Sequence, residues 1–133
     1  MQYSCTKRWD DPSSEGDGTR ILVTRYRPRG LAKSAETWTE WLPALAPSVE
    51  LHAAAYGKGS RAGPIPWAVY RATYLREMRD PKARASMESL ARRVARGEKV
   101  CLLCSSQCVR EDRCHRSLLR DLIEAEVSRM RSA

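Results

Sequence analysis

The segment Val100-Cys101-Leu102-Leu103-Cys104 constrains the fold more than any other part of the chain. Five apolar residues in succession, without polar alternation, are typical of a central strand that is covered on both faces. Patterns of amphipathic helices precede and follow this segment, and apolar strands that alternate with such helices favour a parallel sheet. We therefore predict an α/β fold, a single compact domain over residues 1–133 with a small, mostly parallel sheet flanked by helices.

Two further strands are predicted upstream of this segment. Residues 3–9 are expected to form a short edge strand. The apolar run Ile21-Leu22-Val23 is expected to form a buried strand that leads into Thr24-Arg25-Tyr26. Pro28 and Gly30 end it.

Four helices are predicted from apolar residues spaced three and four apart. Asp80 followed by Pro81 gives the third helix a capping residue and a proline at its first position. Residues 49–55 fit either a short strand or a helical turn, and residues 57–66 are typical of a surface loop. The helices are expected over residues 35–46, from residue 67 onward, from residue 81 to Gly97, and over residues 114–130.

The balance of charges favours an anionic partner. The chain has 24 Lys and Arg residues against 16 Asp and Glu residues, a formal net charge of +8, and five of the basic residues are lysines. Arginine presents a planar fork of donors that suits phosphate, so nucleic acid, a nucleotide or a phosphorylated metabolite is the expected class of partner. A basic surface without a ligand would carry the same charge.

The sequence gives no indication of a membrane protein. No run approaches the ~20 apolar residues that cross a bilayer, and residues 1–9 lack the pattern of a signal peptide. We therefore expect a cytoplasmic protein without a membrane partner.

Two stretches that follow predicted strands carry the candidate binding residues. In open parallel sheets, ligands bind beyond the carboxyl ends of the strands. One stretch contains Arg25 and Arg29, and the other ends in His115 and Arg116, in the first turn of the last helix. A helix N-terminus attracts anions. We predict that these four residues form a pocket for a phosphate-bearing ligand.

Each of these stretches also has a plain structural interpretation. Arg116 would be neutralised if it paired with Glu111 or Asp112. The basic stretch between residues 19 and 35 would be a solvated face, which is the usual state of a charge run.

Four cysteines and a histidine form the pattern C-x2-C-x3-C-x5-C-H. A zinc or iron–sulfur site would use the thiolates. Cys101 and Cys104 are three apart on a strand and point to opposite faces, so Cys101 is expected to be a buried small hydrophobic residue. The candidate metal set is therefore Cys104, Cys108, Cys114 and His115, as an alternative to a protein without cofactor.

Two other interpretations of the cysteines stay open. In the first, Cys104 or Cys114 is the nucleophile of an enzyme and His115 is its base, because cationic neighbours and a helix N-terminus lower the pKa of a thiol. In the second, the cysteines are inert or form a disulfide. Cys5 is isolated in the sequence and is expected to be structural.

These motifs resemble the family catalogued as domain of unknown function 488. The similarity implies a compact α/β domain, assigns no activity, and places its motif positions at Arg25, Arg29, Cys104, Cys114, His115 and Arg116. It covers nearly the whole chain through Asp17-Gly18-Thr19-Arg20, Val23-Thr24-Arg25, Pro28-Arg29-Gly30, Trp41-Leu42, Ala46-Pro47-Ser48, Trp67, Tyr70, Tyr74, Leu102-Leu103-Cys104 and Cys114-His115-Arg116-Ser117-Leu118-Leu119.

The chain departs from this family at two positions. Thr24 stands where the family often has an aspartate, and Ser106 where it often has a glutamate. Acid–base catalysis needs such carboxylates within reach, so their loss disfavours hydrolytic or transferase chemistry and leaves a more cationic pocket.

Overall fold

The computed structural model describes residues 4–58 and 63–132 and contains a four-stranded sheet. The strands are β1 (Ser4–Arg8), β2 (Thr19–Leu22), β3 (Glu40–Trp41) and β4 (Val100–Cys104), and they pair in parallel in the order β1-β4-β2-β3. All five residues of β4 are buried. The predicted α/β fold, with its covered central strand, is confirmed.

The helices are α1 (Val49–Ala55), α2 (Trp67–Glu77), α3 (Pro81–Ala95) and α4 (His115–Ser132). Helix α3 begins as predicted, with the Asp80 carboxylate accepting a hydrogen bond from the Lys82 amide at 3.2 Å. The segment that fits a strand or a helical turn is helix α1, because the Ser48 hydroxyl caps it through the Leu51 amide at 3.0 Å. The predicted loop over 57–66 lies partly outside the described residues. None of the helices within the described ranges is both long and apolar enough to cross a membrane.

The prediction of a helix over residues 35–46 is wrong. This segment contains two short 3₁₀ turns, Lys33–Ala35 and Pro43–Leu45, on either side of β3. The amides of Thr39 and Leu42 donate to the carbonyls of Arg20 and Leu22, so the segment pairs with the open edge of β2. Pro43 also lacks the N–H that a helix interior requires.

The two faces of the sheet are covered differently. Side chains of all four helices pack in one core cluster with Ile21, Val23 and Leu102. On the other face, Leu22, Cys101 and Leu103 pack against Trp38, with Trp9 and Leu31 alongside. Among the described residues, helices therefore flank one face of the sheet, and non-helical segments cover the other.

Cys5 and Cys101 form a disulfide between β1 and β4, with their Cα atoms 4.5 Å apart. This pair agrees with the structural role predicted for Cys5, and it corrects the prediction that Cys101 is only a buried small hydrophobic residue. The two residues are 96 positions apart in the sequence, and they meet because β1 and β4 are neighbours in register. The prediction that Cys101 and Cys104 face opposite sides of the strand agrees with the structure, since only Cys101 belongs to the Trp38 cluster.

An ion cluster around Asp17 joins β1 to the start of β2. The buried Asp17 carboxylate lies 2.8 Å from Lys7 Nζ and 2.7 Å from Arg20 Nη1, and it accepts a hydrogen bond from the Ser14 hydroxyl at 2.8 Å. Burial raises the pKa of Asp17, but the hydrogen bonds from Lys7, Ser14 and Arg20 outweigh burial and hold that pKa well below its usual range. The cluster is a local ionic network inside the fold.

We expect Asp17→Asn to lower the free energy of unfolding at pH 7 by about 3 kcal/mol, because it leaves the Arg20 guanidinium buried without its counter-charge. A carboxyl whose pKa is lowered by folding stabilises the protein above the pKa of the unfolded chain, and this stabilisation is lost as the pH falls. The difference between wild type and variant should therefore shrink below about pH 4. Urea denaturation at several pH values measures both effects.

Glu88→Gln is the matched control. Glu88 pairs with Arg84 at 2.8 Å on an exposed helix face, and such pairs contribute less than about 1 kcal/mol. Equal losses of stability in the two variants would contradict the assigned role of Asp17.

Candidate functional site

A cavity of about 750 Å³ lies at the carboxyl edge of the sheet. Its lining comes from segments that follow three strands: Trp9 after β1, residues 24–29 after β2, and residues 104–108 at and after the end of β4. Helix α1 and the first turn of α4 also contribute. The position agrees with the rule that ligands bind beyond the carboxyl ends of parallel strands.

Cys104, Cys114 and His115 meet at the bottom of this cavity. The two sulfur atoms lie 3.3 Å apart, and His115 Nδ1 lies 4.0 Å from Cys104 Sγ and 3.9 Å from Cys114 Sγ. All three side chains are buried. The end of β4 supplies the first thiol, and the start of α4 supplies the other two groups.

The hydrogen bond of His115 with Val23 determines which ring nitrogen faces the thiols. His115 Nε2 lies 2.7 Å from the Val23 carbonyl oxygen, which accepts hydrogen bonds and cannot donate them. Burial lowers the pKa of His115, so the ring is neutral and carries its proton on Nε2. The lone pair of Nδ1 therefore points toward Cys104 and Cys114.

The free thiols of Cys104, Cys108 and Cys114 affect one another's pKa values. Hydrogen bonds from Cys104 and Cys114 lower the pKa of Cys108 to about 3, against the effect of burial. The hydrogen bond to Cys108 raises the pKa of Cys104, and burial raises that of Cys114. Of the three thiols, the half-buried Cys108 is therefore the one whose ionised form its neighbours favour.

Arg116 lies beneath the loop that follows β4 and does not line the cavity. Its side chain is 4% exposed, and Nη2 donates to the Cys108 carbonyl at 3.4 Å. Within the described residues, Nε and Nη1 have no hydrogen-bond partner. The alternative in which Arg116 pairs with Glu111 or Asp112 is wrong, because those carboxylates pair with Arg120 and Arg110.

Arg25 and Arg29 both line the cavity, on the side that β2 provides. Arg25 is half-buried, and its guanidinium donates to the carbonyls of Pro47 at 2.9 Å and Ala46 at 3.3 Å. Arg29 is exposed and makes no side-chain hydrogen bond or ion pair with any described residue. The structure thus brings the two arginines, the two thiols and His115 to one cavity.

Further lining residues escaped the sequence analysis. The cationic members of the lining are Arg25, Arg27, Arg29, Lys58, Arg110 and Arg113, and the described lining contains no carboxylate. The aromatic members are Trp9, Tyr26, Tyr56, Trp67 and Tyr70. Arg110 and Arg113 could have been predicted, since they lie between Cys108 and Cys114 of the motif. Tyr56 and Lys58 carried no such signal.

Comparison with known proteins gives a family and one curated relative. The family model described as "Active DUF488-N3 subclade" matches residues 4–127. The uncharacterized protein YeaO of Escherichia coli (strain K12) is 38% identical over 78 residues, which are 59% of this chain and 63% of that protein. The match thus spans less than two thirds of the relative's length. No solved structure matches the chain.

We expect Arg25→Met to lower the free energy of unfolding by about 1–2 kcal/mol, because two buried backbone carbonyls lose their donors. Arg29→Met is the matched control and should change stability by less than about 0.5 kcal/mol, since its side chain is exposed and unpaired within the described residues. Chemical denaturation measures both variants. Equal effects would contradict the difference in role that the hydrogen bonds imply.

Proposed function

The chain belongs to the DUF488 family, and we propose that its cavity binds a nucleotide, either free or within a nucleic acid. The observation that carries this proposal is the composition of the cavity lining: six cations and five aromatic residues, without a carboxylate among the described lining residues. Cations suit a phosphate, and aromatic rings suit a planar base.

The phosphate of the ligand is assigned to Arg29, which lines the same cavity as Arg25 and Lys58. The Arg29 guanidinium has all its donors available within the described part of the chain. The Arg25 guanidinium bonds to neutral carbonyls, which leave its positive charge without a counter-charge. Two other lining arginines, Arg27 and Arg110, are paired with Glu36 and Asp112, so they contribute less to the field in the cavity.

The base is assigned to the exposed aromatic rings of the cavity lining. Tyr26 is 54% exposed and Tyr56 is 47% exposed, although burial of such rings is favourable. His52 packs between them, with ring centroids 5.3 Å from Tyr26 and 4.9 Å from Tyr56. An exposed ring held in place by a neighbour offers a stacking surface, and stacking is worth about 1–3 kcal/mol per base.

The size of the cavity is consistent with a ligand of this class. Cavities that bind small molecules occupy roughly 300–1,000 Å³, and this one measures about 750 Å³. A free inorganic phosphate would fill a small part of it and would leave the aromatic side without a contact.

The cysteine-dependent enzyme is a second candidate for the same cavity. The match to a subclade described as active supports it, and so does the lone pair of His115 Nδ1 beside Cys104 and Cys114. Burial of both thiols works against it, because a nucleophile must reach its substrate. The binding function therefore has the stronger support. A cytoplasmic location stays a prediction of the sequence.

We expect nucleoside monophosphates to bind more tightly than inorganic phosphate or the free nucleosides, because each of those lacks one half of the contacts. Arg29→Met should weaken nucleotide binding at least tenfold, about 1.4 kcal/mol, without loss of stability. Isothermal titration calorimetry measures the affinities. A short single-stranded oligonucleotide is titrated in parallel with the free nucleotides. If it binds more tightly than they do and its affinity falls steeply with salt, the ligand is a nucleotide within a nucleic acid.

Arg79→Met is the control for nonspecific charge, since Arg79 is exposed and lies outside the cavity lining. It should leave the affinity for nucleotides unchanged. The proposal is overturned if nucleotides bind no better than inorganic phosphate, or if Arg79→Met weakens binding as much as Arg29→Met does.

A further inference from the structure

We propose that Cys104, Cys114 and His115 bind a zinc ion at the bottom of the cavity, with Cys108 as the fourth ligand. The donor atoms of Cys104, Cys114 and His115 lie within 4.8 Å of one another. They come from the end of β4 and the start of α4. This proposal goes beyond nucleotide binding and does not depend on it.

The distances between the donor atoms fit one tetrahedral ion. With Zn–S bonds of about 2.3 Å and a Zn–N bond of about 2.1 Å, tetrahedral geometry separates the donors by about 3.6–3.8 Å. The observed separations are 3.3 Å between the sulfurs, and 3.9 and 4.0 Å from the sulfurs to His115 Nδ1. An iron–sulfur cluster spreads its ligands over several metal atoms, so donors this close together favour a single ion.

The histidine is oriented as a metal ligand requires. A ligating histidine binds through one ring nitrogen and donates the other N–H to a carbonyl or carboxylate, which fixes the tautomer and the ring plane. His115 donates from Nε2 to the Val23 carbonyl at 2.7 Å and directs its Nδ1 lone pair at the two thiols. Its ring also packs against Tyr74, with centroids 5.5 Å apart.

Cys108 completes the set from the loop above. Cys108 lines the same cavity and is half-buried. Its sulfur lies outside the group of donors within 4.8 Å of one another, so the loop must move toward the other three donors when the ion binds. Three thiolates and a neutral imidazole around Zn²⁺ carry a net charge of −1. Arg116 supplies the opposite charge: it is buried, bonds to the Cys108 carbonyl, and has no carboxylate paired with it among the described residues.

The other group of potential ligands in the described residues is not available to a metal. Cys5, Asp17 and Cys101 also lie close together, but the two sulfurs are joined in a disulfide, and Asp17 is bonded to Lys7 and Arg20. This group therefore provides a control.

The test uses the full chain, purified without an affinity tag or chelator. Metal is removed under oxygen-free conditions without a reductant, so that the Cys5–Cys101 disulfide stays closed, and the protein is titrated with Zn²⁺ against a competing chromophoric chelator. We expect one equivalent to bind with an apparent Kd below about 100 nM and to raise the Tm. Co²⁺ in place of Zn²⁺ should give the intense near-ultraviolet absorption of thiolate coordination and the visible bands of a tetrahedral ion.

Cys104→Ser and Cys114→Ser should abolish high-affinity binding, and Cys108→Ser should weaken it at least tenfold and reduce the thiolate absorption. The double variant Cys5→Ser/Cys101→Ser should still bind one equivalent. If a variant at position 104 or 114 does not fold, the Cys108→Ser titration and the wild-type Co²⁺ spectrum decide the question on folded protein.

Weak or non-stoichiometric binding by the wild-type chain, an octahedral Co²⁺ spectrum, or loss of binding in the Cys5→Ser/Cys101→Ser variant while it stays folded would overturn the proposal. An unchanged affinity in Cys108→Ser would overturn the assignment of the fourth ligand. Nucleotide titrations of the metal-free and zinc-loaded protein test the two proposals separately. Zinc binding without nucleotide binding would contradict only the proposed function, and nucleotide binding without zinc binding would contradict only the metal site.

Discussion

The hydrogen bond from His115 Nε2 to the Val23 carbonyl holds the candidate site together. It links the first residue of α4 to the residue that follows β2, across the end of the sheet. Val23 is itself tied to β4, because its amide donates to the Leu103 carbonyl. The ring is buried, which reduces competition from water. The bond therefore orients the nitrogen that faces the thiols, and it connects the start of α4 to the end of the sheet.

The arrangement of charges explains how a basic chain can direct its field into one cavity. Acidic side chains neutralise cations where the fold needs internal ion pairs, as Asp17 does for Lys7 and Arg20, and as Glu40 and Glu98 do for Arg93. The described lining of the cavity has no such carboxylate. Thr24 and Ser106, where the resemblance suggested that carboxylates are common, line the cavity as neutral side chains.

Much of the fold could be predicted from local pattern, and the errors have physical causes. The strand at 100–104 could be predicted from its own unbroken apolar run. The helix that begins at Pro81 could be predicted from its capping residue and the proline at its first position. The prediction of a helix over residues 35–46 was wrong because the conformation of this segment depends on pairing with the edge of β2. The spacing of apolar residues does not reveal that neighbour. The Cys5–Cys101 disulfide likewise requires knowing that β1 and β4 are adjacent.

The site was predictable to the extent that topology determines it. Placing Arg25, Arg29, Cys104, Cys114 and His115 near one another required only that parallel strands end at the same edge. The contribution of Tyr56 and Lys58 required the path of the chain after α1, which no motif encodes. Cys108 appeared in the metal alternative alone, because the sequence does not show that its loop lines the same cavity as Cys104 and Cys114.

The dipole at a helix N-terminus disfavours a cation in the first turn, so the buried Arg116 favours an anion nearby. Hydrogen bonds from Cys104 and Cys114, and the charge of Arg116, lower the pKa of Cys108. A thiolate at Cys108 would balance the Arg116 charge without a ligand phosphate. This separates two electrostatic systems that the sequence analysis had merged: a buried one of Arg116 with the thiols, and an open one in which Arg25, Arg29 and Lys58 face the cavity.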